Sequence, residues 1–309
     1  MSGIVIFGAS GFIGQNLSNY FKAERIPFEF VSLRNHEWRR DLSPSVEVMI
    51  NLIGKAHDHD RVASERDYYH ANLEMAKSVF DTFLQSKARL LIHVSSLAAL
   101  EEYESTTALT EKDSCNPTSW YGQSKREAET WLLSKELPTG KKLIILRPPM
   151  IHGLGDKGNL GLLYKFISKG IPYPLSAFNN RRSFISIDNF CYFIREIVNK
   201  SESLKSGIYH VTDDEALSTK DIVGLIMEVT GKKVINVSLP KFFVILVAKI
   251  GDIVPIPLNS ARLRKITGTL LVSNERIKRH LNLVKLPLSA REGLKKTIQS
   301  FVDNERKKI

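Results

Sequence analysis

The chain is expected to fold as an α/β protein, a doubly wound parallel sheet with helices on both faces and a smaller, mostly helical second part. Three observations predict this. Short apolar runs alternate with amphipathic segments through the first half. A glycine-rich turn joins the first apolar run to the first amphipathic one. After Pro148-Pro149 the texture changes: Gly and Pro become frequent over 153–174 and regular alternation fades.

Taken in order, residues 4–7 read as a strand and 14–22 as a helix. Residues 28–33, 48–53, 90–94 and 143–146 read as further strands, with helical patterns at 65–86 and 124–135. Residues 184–187 resemble another strand, followed by a helix from Asn189, and helices are expected at 219–230 and 290–304. This interleaving predicts that residues 1–150 plus about 183–211 form the sheet domain. The second domain draws on about 151–182 and 212–309. The apolar stretch 242–248 is too short to span a bilayer before Lys249 and Asp252 intervene. It reads as a buried helix, with a peripheral membrane contact as the alternative.

Lys and Arg total 44 against 33 Asp and Glu, a net charge of +11 over 309 residues. A basic balance favours anionic partners. The excess is spread along the chain, which argues against a nucleic-acid stripe. Cys115 and Cys191 lack CxxC neighbours, so they read as structural thiols and no metal site is expected. The N-terminus enters an apolar strand almost at once, so no signal peptide is expected and the protein reads as cytoplasmic.

Gly8-Ala9-Ser10-Gly11-Phe12-Ile13-Gly14 has the G-x-x-G-x-x-G spacing, after a strand signal and opening a helix signal. In that context the glycines allow a tight turn and close approach of backbone to a pyrophosphate, and the helix N-terminus supplies free N–H groups. A turn with no ligand is disfavoured, because three such glycines cost conformational entropy. NAD enzymes usually place an acid about twenty residues beyond the glycines. Here that count from Gly14 reaches Arg34, and Glu29 lies too early. A guanidinium suits a 2′-phosphate, and Ser10 could add a hydroxyl, so NADP(H) is favoured over NAD(H).

Tyr121 and Lys125 are four apart on a predicted helix and share a face. A neighbouring ammonium is expected to lower the phenol pKa, fitting Tyr121 to exchange a proton with a sugar hydroxyl or carbonyl. Lys125 can also hold the nicotinamide ribose. Ser95-Ser96 ends the apolar run 90–94, at the carboxyl edge where open α/β sheets bind ligands. Ser96 is the candidate to hold the reacting oxygen beside Tyr121. A surface Tyr–Lys pair alone is common. The glycine turn, strand-end Ser and Tyr-x-x-x-Lys in this order are far more specific together.

On these motifs the chain resembles the extended short-chain dehydrogenases/reductases, whose Rossmann-type fold serves the nucleotide-sugar epimerases and 4-ketoreductases. The likeness runs over nearly the whole chain. Asp41-Leu42 is similar to the acidic loop that touches adenine, and Asn51-Leu52-Ile53-Gly54 to the strand end and turn beside the cofactor. Asn72 matches an Asn with a structural or relay role at the cofactor. Arg147-Pro148-Pro149-Met150-Ile151-His152-Gly153 resembles an R-P-P-x-x-Y-G segment that places Pro148 at the cofactor, with His152 in place of Tyr. Gly158-Asn159-Leu160 resembles the loop holding the sugar nucleotide. Arg182, within Arg181–Asp188, matches an Arg that binds the substrate diphosphate, and Arg264 is a weaker match to a second one.

No carboxylate follows Ser96, since Leu97, Ala98 and Ala99 come next, and this disfavours dehydration. Arg34 tips the balance toward an NADPH-dependent 4-ketoreductase, and the segment 146–187 resembles bacterial reductases of surface-polysaccharide synthesis, which implies a UDP-linked 4-keto-6-deoxy-HexNAc as substrate. A UDP-sugar 4-epimerase with retained NAD is the alternative. A non-catalytic NADP-binding sensor or assembly factor is the non-enzyme reading, disfavoured by the intact Ser96, Tyr121 and Lys125 set. The resemblance also implies a homodimer through the helices at 65–86 and 124–135.

Overall fold

A computed structural model describes residues 3–35, 37–56, 62–156, 158–175, 177–235, 239–254 and 259–306. The chain runs through β1 (Gly3–Phe7), α1 (Phe12–Ala23), β2 (Glu29–Val31), a 3-10 turn at Trp38–Asp41 and β3 (Val46–Asn51). Next come α2 (Glu65–Tyr69), a π-turn at His70–Glu74, α3 (Met75–Gln85) and β4 (Leu90–Val94). Then follow β5 (Ala108–Leu109), α4 (Trp120–Leu133), β6 (Lys142–Arg147), β7 (Met150–His152) and α5 (Asn159–Ser168). The remainder is β8 (Phe184–Ser186), α6 (Ile187–Asn199), β9 (Gly207–His210), α7 (Thr219–Thr230), α8 (Lys241–Ile253), α9 (Ser260–Thr267), β10 (Leu271–Val272), α10 (Glu275–Leu281) and α11 (Ala290–Arg306).

Six parallel strands form the main sheet in the order β2-β1-β3-β4-β6-β9. The strands read as unbroken apolar runs because both faces are covered; all of β4 is buried. Leu17 and Phe21 of α1 and Phe190 and Phe193 of α6 pack on one face. Val79, Phe80 and Phe83 of α3 and Leu132 of α4 pack on the other. Each such fully buried side chain contributes about 1.5–3 kcal/mol of burial free energy.

β7 and β8 pair with each other in a separate two-stranded sheet, outside the main one. A further core joins Leu160 and Ile167 of α5, Ile222 and Ile226 of α7, and Leu294 and Ile298 of α11. The stretch 242–248 does not form the buried helix expected. In α8 only Val244 and Ala248 are buried, because they alone face the rest of the molecule.

Register places the functional edge. Phe7 lies beside Asn51, Asn51 beside His93, and Val94 beside Leu146. The carboxyl ends of β1, β3, β4 and β6 therefore align, and the turns leaving them meet. Sheet order reverses around β1, which makes the crevice between β1 and β3 a switch point.

Candidate active site

The turn after β1 is built for close approach. Gly8 has φ +86°, a left-handed conformation that favours glycine, and its carbonyl accepts Gly11 N–H at 3.2 Å. A Cβ on Gly14 would run into the Gly8 carbonyl. Gly11 caps α1 without a side-chain bond, and no acid stands in the first turn. The N-terminal N–H groups, those of Phe12 and Ile13 included, therefore lack an internal partner and suit an anion. The segment after β7 reaches over this turn: Asn16 Nδ2 donates to Leu154 O at 3.0 Å, and Phe12 lies against Gly153 and Gly155. This cradle fits a pyrophosphate.

The neighbouring turn, Leu52–Gly54, is pinned from beneath. Leu52 N–H donates to Phe7 O at 3.0 Å and Ile53 N–H to Asn51 Oδ1 at 3.0 Å. Asn51 Nδ2 also lies 3.2 Å from His93 Nδ1. Burial, reinforced by Lys125, pulls His93 down to about 3, so the ring is neutral. Asn72 is fully buried within the π-turn. It accepts from Lys55 N at 2.9 Å and donates to Lys55 O at 3.2 Å and Ser124 Oγ at 2.9 Å. Its amide is committed to protein partners, tying the strap at Gly54-Lys55 to α4. A Cβ on Gly54 would stand 2.7 Å from Lys125 Nζ, so only glycine lets the strap lie against that ammonium.

Arg34 follows β2, is exposed and has no partner among the described residues. Arg39 is committed, to Thr82 Oγ1 at 3.0 Å and Ser78 Oγ at 2.8 Å. Ser10 and Asp41 are exposed and Leu42 is half-buried.

The two serines after β4 part company. Ser95 turns inward and donates to Glu129 Oε1 at 2.6 Å. Glu129 also holds Arg147 bidentately, at 2.8 and 2.6 Å, both side chains being buried. This pair bolts α4 to β4 and β6. Ser96 accepts Ala98 N–H at 3.2 Å, and its side chain is close enough to the Tyr121 phenol to act on its proton affinity. Pro148 accepts Leu97 N–H at 2.8 Å, which sets β6's exit beside the same turn. Ser119 caps α4 through Gly122 N–H at 3.1 Å, and Glu102 Oε1 accepts Ser119 N–H at 2.8 Å.

The electrostatics differ from the sequence expectation at one point. The Tyr121 phenol is not lowered by Lys125. Burial pushes it up, Ser96 opposes the shift, and the Lys125 ammonium donates to Val94 O at 3.0 Å. The phenol therefore keeps its proton at neutral pH. Burial pulls Lys125 down to about 8, with Glu129 opposing.

Arg182 lies half-buried, donating from Nη1 to Tyr103 O at 3.0 Å and Gly268 O at 3.1 Å. It has no carboxylate partner among the described residues, and burial pulls it down to about 10. Arg264 stacks its guanidinium 4.4 Å from the Tyr103 ring and meets Glu104 at 3.4 Å. Tyr103 and Gly268 thus bring both arginines to one place. Asn159 opens α5, and its side chain lies outside the described part of the structure. His152 is buried, with Nδ1 2.9 Å from Thr297 Oγ1, and burial holds it down to about 4. Both cysteines are free thiols; Cys191 is in the core, and Cys115 accepts from Arg147 at 3.4 Å. No cluster that could hold a metal occurs among the described residues.

Comparison with known proteins agrees with this geometry. A sequence model of the NAD dependent epimerase/dehydratase family matches residues 4–212. UDP-glucose 4-epimerase of Vibrio cholerae is 26% identical, over 97% of this chain and 95% of that protein. N-acetyl-α-D-glucosaminyl-diphospho-ditrans,octacis-undecaprenol 4-epimerase of Escherichia coli O157:H7 is 24% identical, over 96% and 94%. The structure of UDP-glucose 4-epimerase with UDP-glucose from Thermotoga maritima superposes with a TM-score of 0.78 at 16% identity, over 98% of this chain and 99% of that one. With its glycine cradle, its Ser96, Tyr121 and Lys125 set and a matching sequence over two thirds of its length, the chain belongs to the NAD-dependent epimerase/dehydratase family of enzymes.

Proposed function

We propose that this enzyme uses NADPH to reduce a UDP-linked 4-keto-6-deoxy-HexNAc at carbon 4. The observation that carries the reading is the placing of Ser96 and the Tyr121 phenol together at the carboxyl edge of β4, one helical turn from Lys125. When bound, the nicotinamide supplies the hydride. Tyr121, protonated at neutral pH, gives its proton to the carbon-4 oxygen, and Ser96 orients that oxygen. Lys125 would hold the ribose hydroxyls, and Asn72 positions the strap at Gly54 beside it. Phe12, Ile13 and Gly14 would offer backbone N–H groups to the pyrophosphate, with Gly8, Gly11 and Pro148 lining its site. Asp41 and Leu42 would meet the adenine.

One detail supports reduction and a second supports a diphosphate-linked substrate. Arg34, exposed past β2 and without a partner among the described residues, suits a 2′-phosphate, with Ser10 as a second contact. The cation at Arg182, without a carboxylate partner among the described residues and with Arg264 beside it, suits a diphosphate. Arg182→Ala should weaken UDP binding by about 1.5–3 kcal/mol, the range for charged hydrogen bonds, and leave NADPH binding unchanged. Calorimetry with each ligand checks this.

A 4-epimerase is the second reading, favoured by the two relatives, both of them 4-epimerases of a diphosphate-linked sugar. Incubation with the 4-keto sugar and NADPH or NADH, with product NMR, tests the proposal. The proposal expects one NADPH consumed per product and a preference for NADPH over NADH. Interconversion of 4-epimers without net cofactor oxidation would select the second reading. We place the cofactor in residues 1–150 with about 183–211, and the sugar nucleotide in about 151–182 with 212–309.

A further inference from the structure

We propose that α8 seats this protein on an anionic lipid surface. The inference is independent of which sugar the active site takes. A helix that is apolar all round is normally buried in protein or lipid. In α8, Val244 and Ala248 face inward, toward the core of the smaller domain. The opposite side is apolar too: Phe242 is 73% exposed, Leu246 53% and Ile253 88%, with Phe243 and Ile250 beside them. At about 100° per residue these five fall within one arc of about 100°. The helix runs about 20 Å, too short to cross a bilayer and suited to lying along one.

The charge around this stripe identifies the occupant. Lys249 borders it, and Lys241 stands at its N-terminal end, 5.6 Å from the Phe178 ring. Segments 159–181 and 229–267 together carry ten Lys and Arg, of which Arg264 and Lys265 are met by Glu104 and Glu102, against one acid of their own, Asp252. That acid is engaged by Ser260, at 2.9 and 2.6 Å. Two copies meeting through this face would press like charges together. A nucleic acid would leave the apolar stripe in water. An anionic bilayer surface takes both features, apolar side chains into the acyl boundary and lysines at the headgroups.

Flotation of the full chain with vesicles tests this, comparing phosphatidylcholine alone with a phosphatidylcholine–phosphatidylglycerol mixture. The wild type should float with the mixed vesicles. Phe242→Ser/Leu246→Ser/Ile250→Ser should bind them at least about tenfold less, since three large apolar groups no longer enter the lipid. Lys241→Gln/Lys249→Gln should lose the preference for the anionic mixture. NADPH binding and sedimentation of both variants should match the wild type, which confirms folding. A wild type that stays with the soluble fraction, or a triple-serine variant that floats as well, overturns the proposal. So does a triple-serine variant that turns a wild-type dimer into a monomer, since a second copy would then cover the face.

Discussion

Lys125 carries its charge at a cost. Burial pulls its ammonium from the usual 10.5 down to about 8. Below about pH 8 the site offers a cation to the cofactor; above it the cation is lost. NADPH affinity should therefore fall as pH rises through about 8, and Lys125→Met should bind more weakly with no such step. Fluorescence titration at neutral and mildly alkaline pH reads both. For folding the sign reverses. Between about 8 and 10.5 the unfolded chain holds the proton and the folded chain does not, so this group's contribution to stability grows as pH rises through that window. Lys125→Met removes a buried cation, so at neutral pH its Tm without cofactor should equal or exceed the wild type. A lower Tm would mean that the bond to Val94 O outweighs the burial cost.

At the scale of elements, α4 governs the site, and Gly122 sets where it begins. A Cβ there would stand 2.5 Å from Ala98 O and 2.7 Å from Glu102 Oε1, so the first turn of α4 must move. Gly122→Ala should draw Tyr121 away from Ser96 and lower kcat about 100-fold, with NADPH affinity nearly unchanged. Steady-state kinetics with cofactor titration separates the two effects. Glu129→Gln should destabilise the fold by about 3–5 kcal/mol by leaving the buried Arg147 unneutralised, measurable by urea unfolding. Parts of this were legible in the sequence. Strand 90–94 and helix 219–230 match their observed bounds, the first because it is apolar throughout, the second because Ser218, Asp221 and Gly231 punctuate it. The Ser95–Glu129–Arg147 bolt was missed, although Tyr121, Lys125 and Glu129 share one helical stripe and Arg147 ends a strand buried from Leu143 onward. The place of β8 and the pairing of β5 with β10 depend on contacts far apart in sequence, which local pattern does not encode. The stretch 242–248 misled because an apolar run has no polar face to mark which side meets the protein.

Across the whole molecule, aligned strand ends bring the glycine turn, the strap, the paired serines and α4 to one edge, while Arg182, just before β8, is held at Tyr103 and Gly268. No helix among the described residues is long and apolar enough to cross a membrane. The central claim is that Tyr121 delivers a proton to the carbon-4 oxygen of a diphosphate-linked sugar. Single-turnover oxidation of NADPH by a UDP-linked 4-keto-6-deoxy-HexNAc measures that step in isolation. Tyr121→Phe removes one oxygen and little volume, so cofactor binding should persist while the single-turnover rate falls by about 10²–10⁴-fold. An unchanged single-turnover rate in Tyr121→Phe would contradict the account, because another group would then supply the proton.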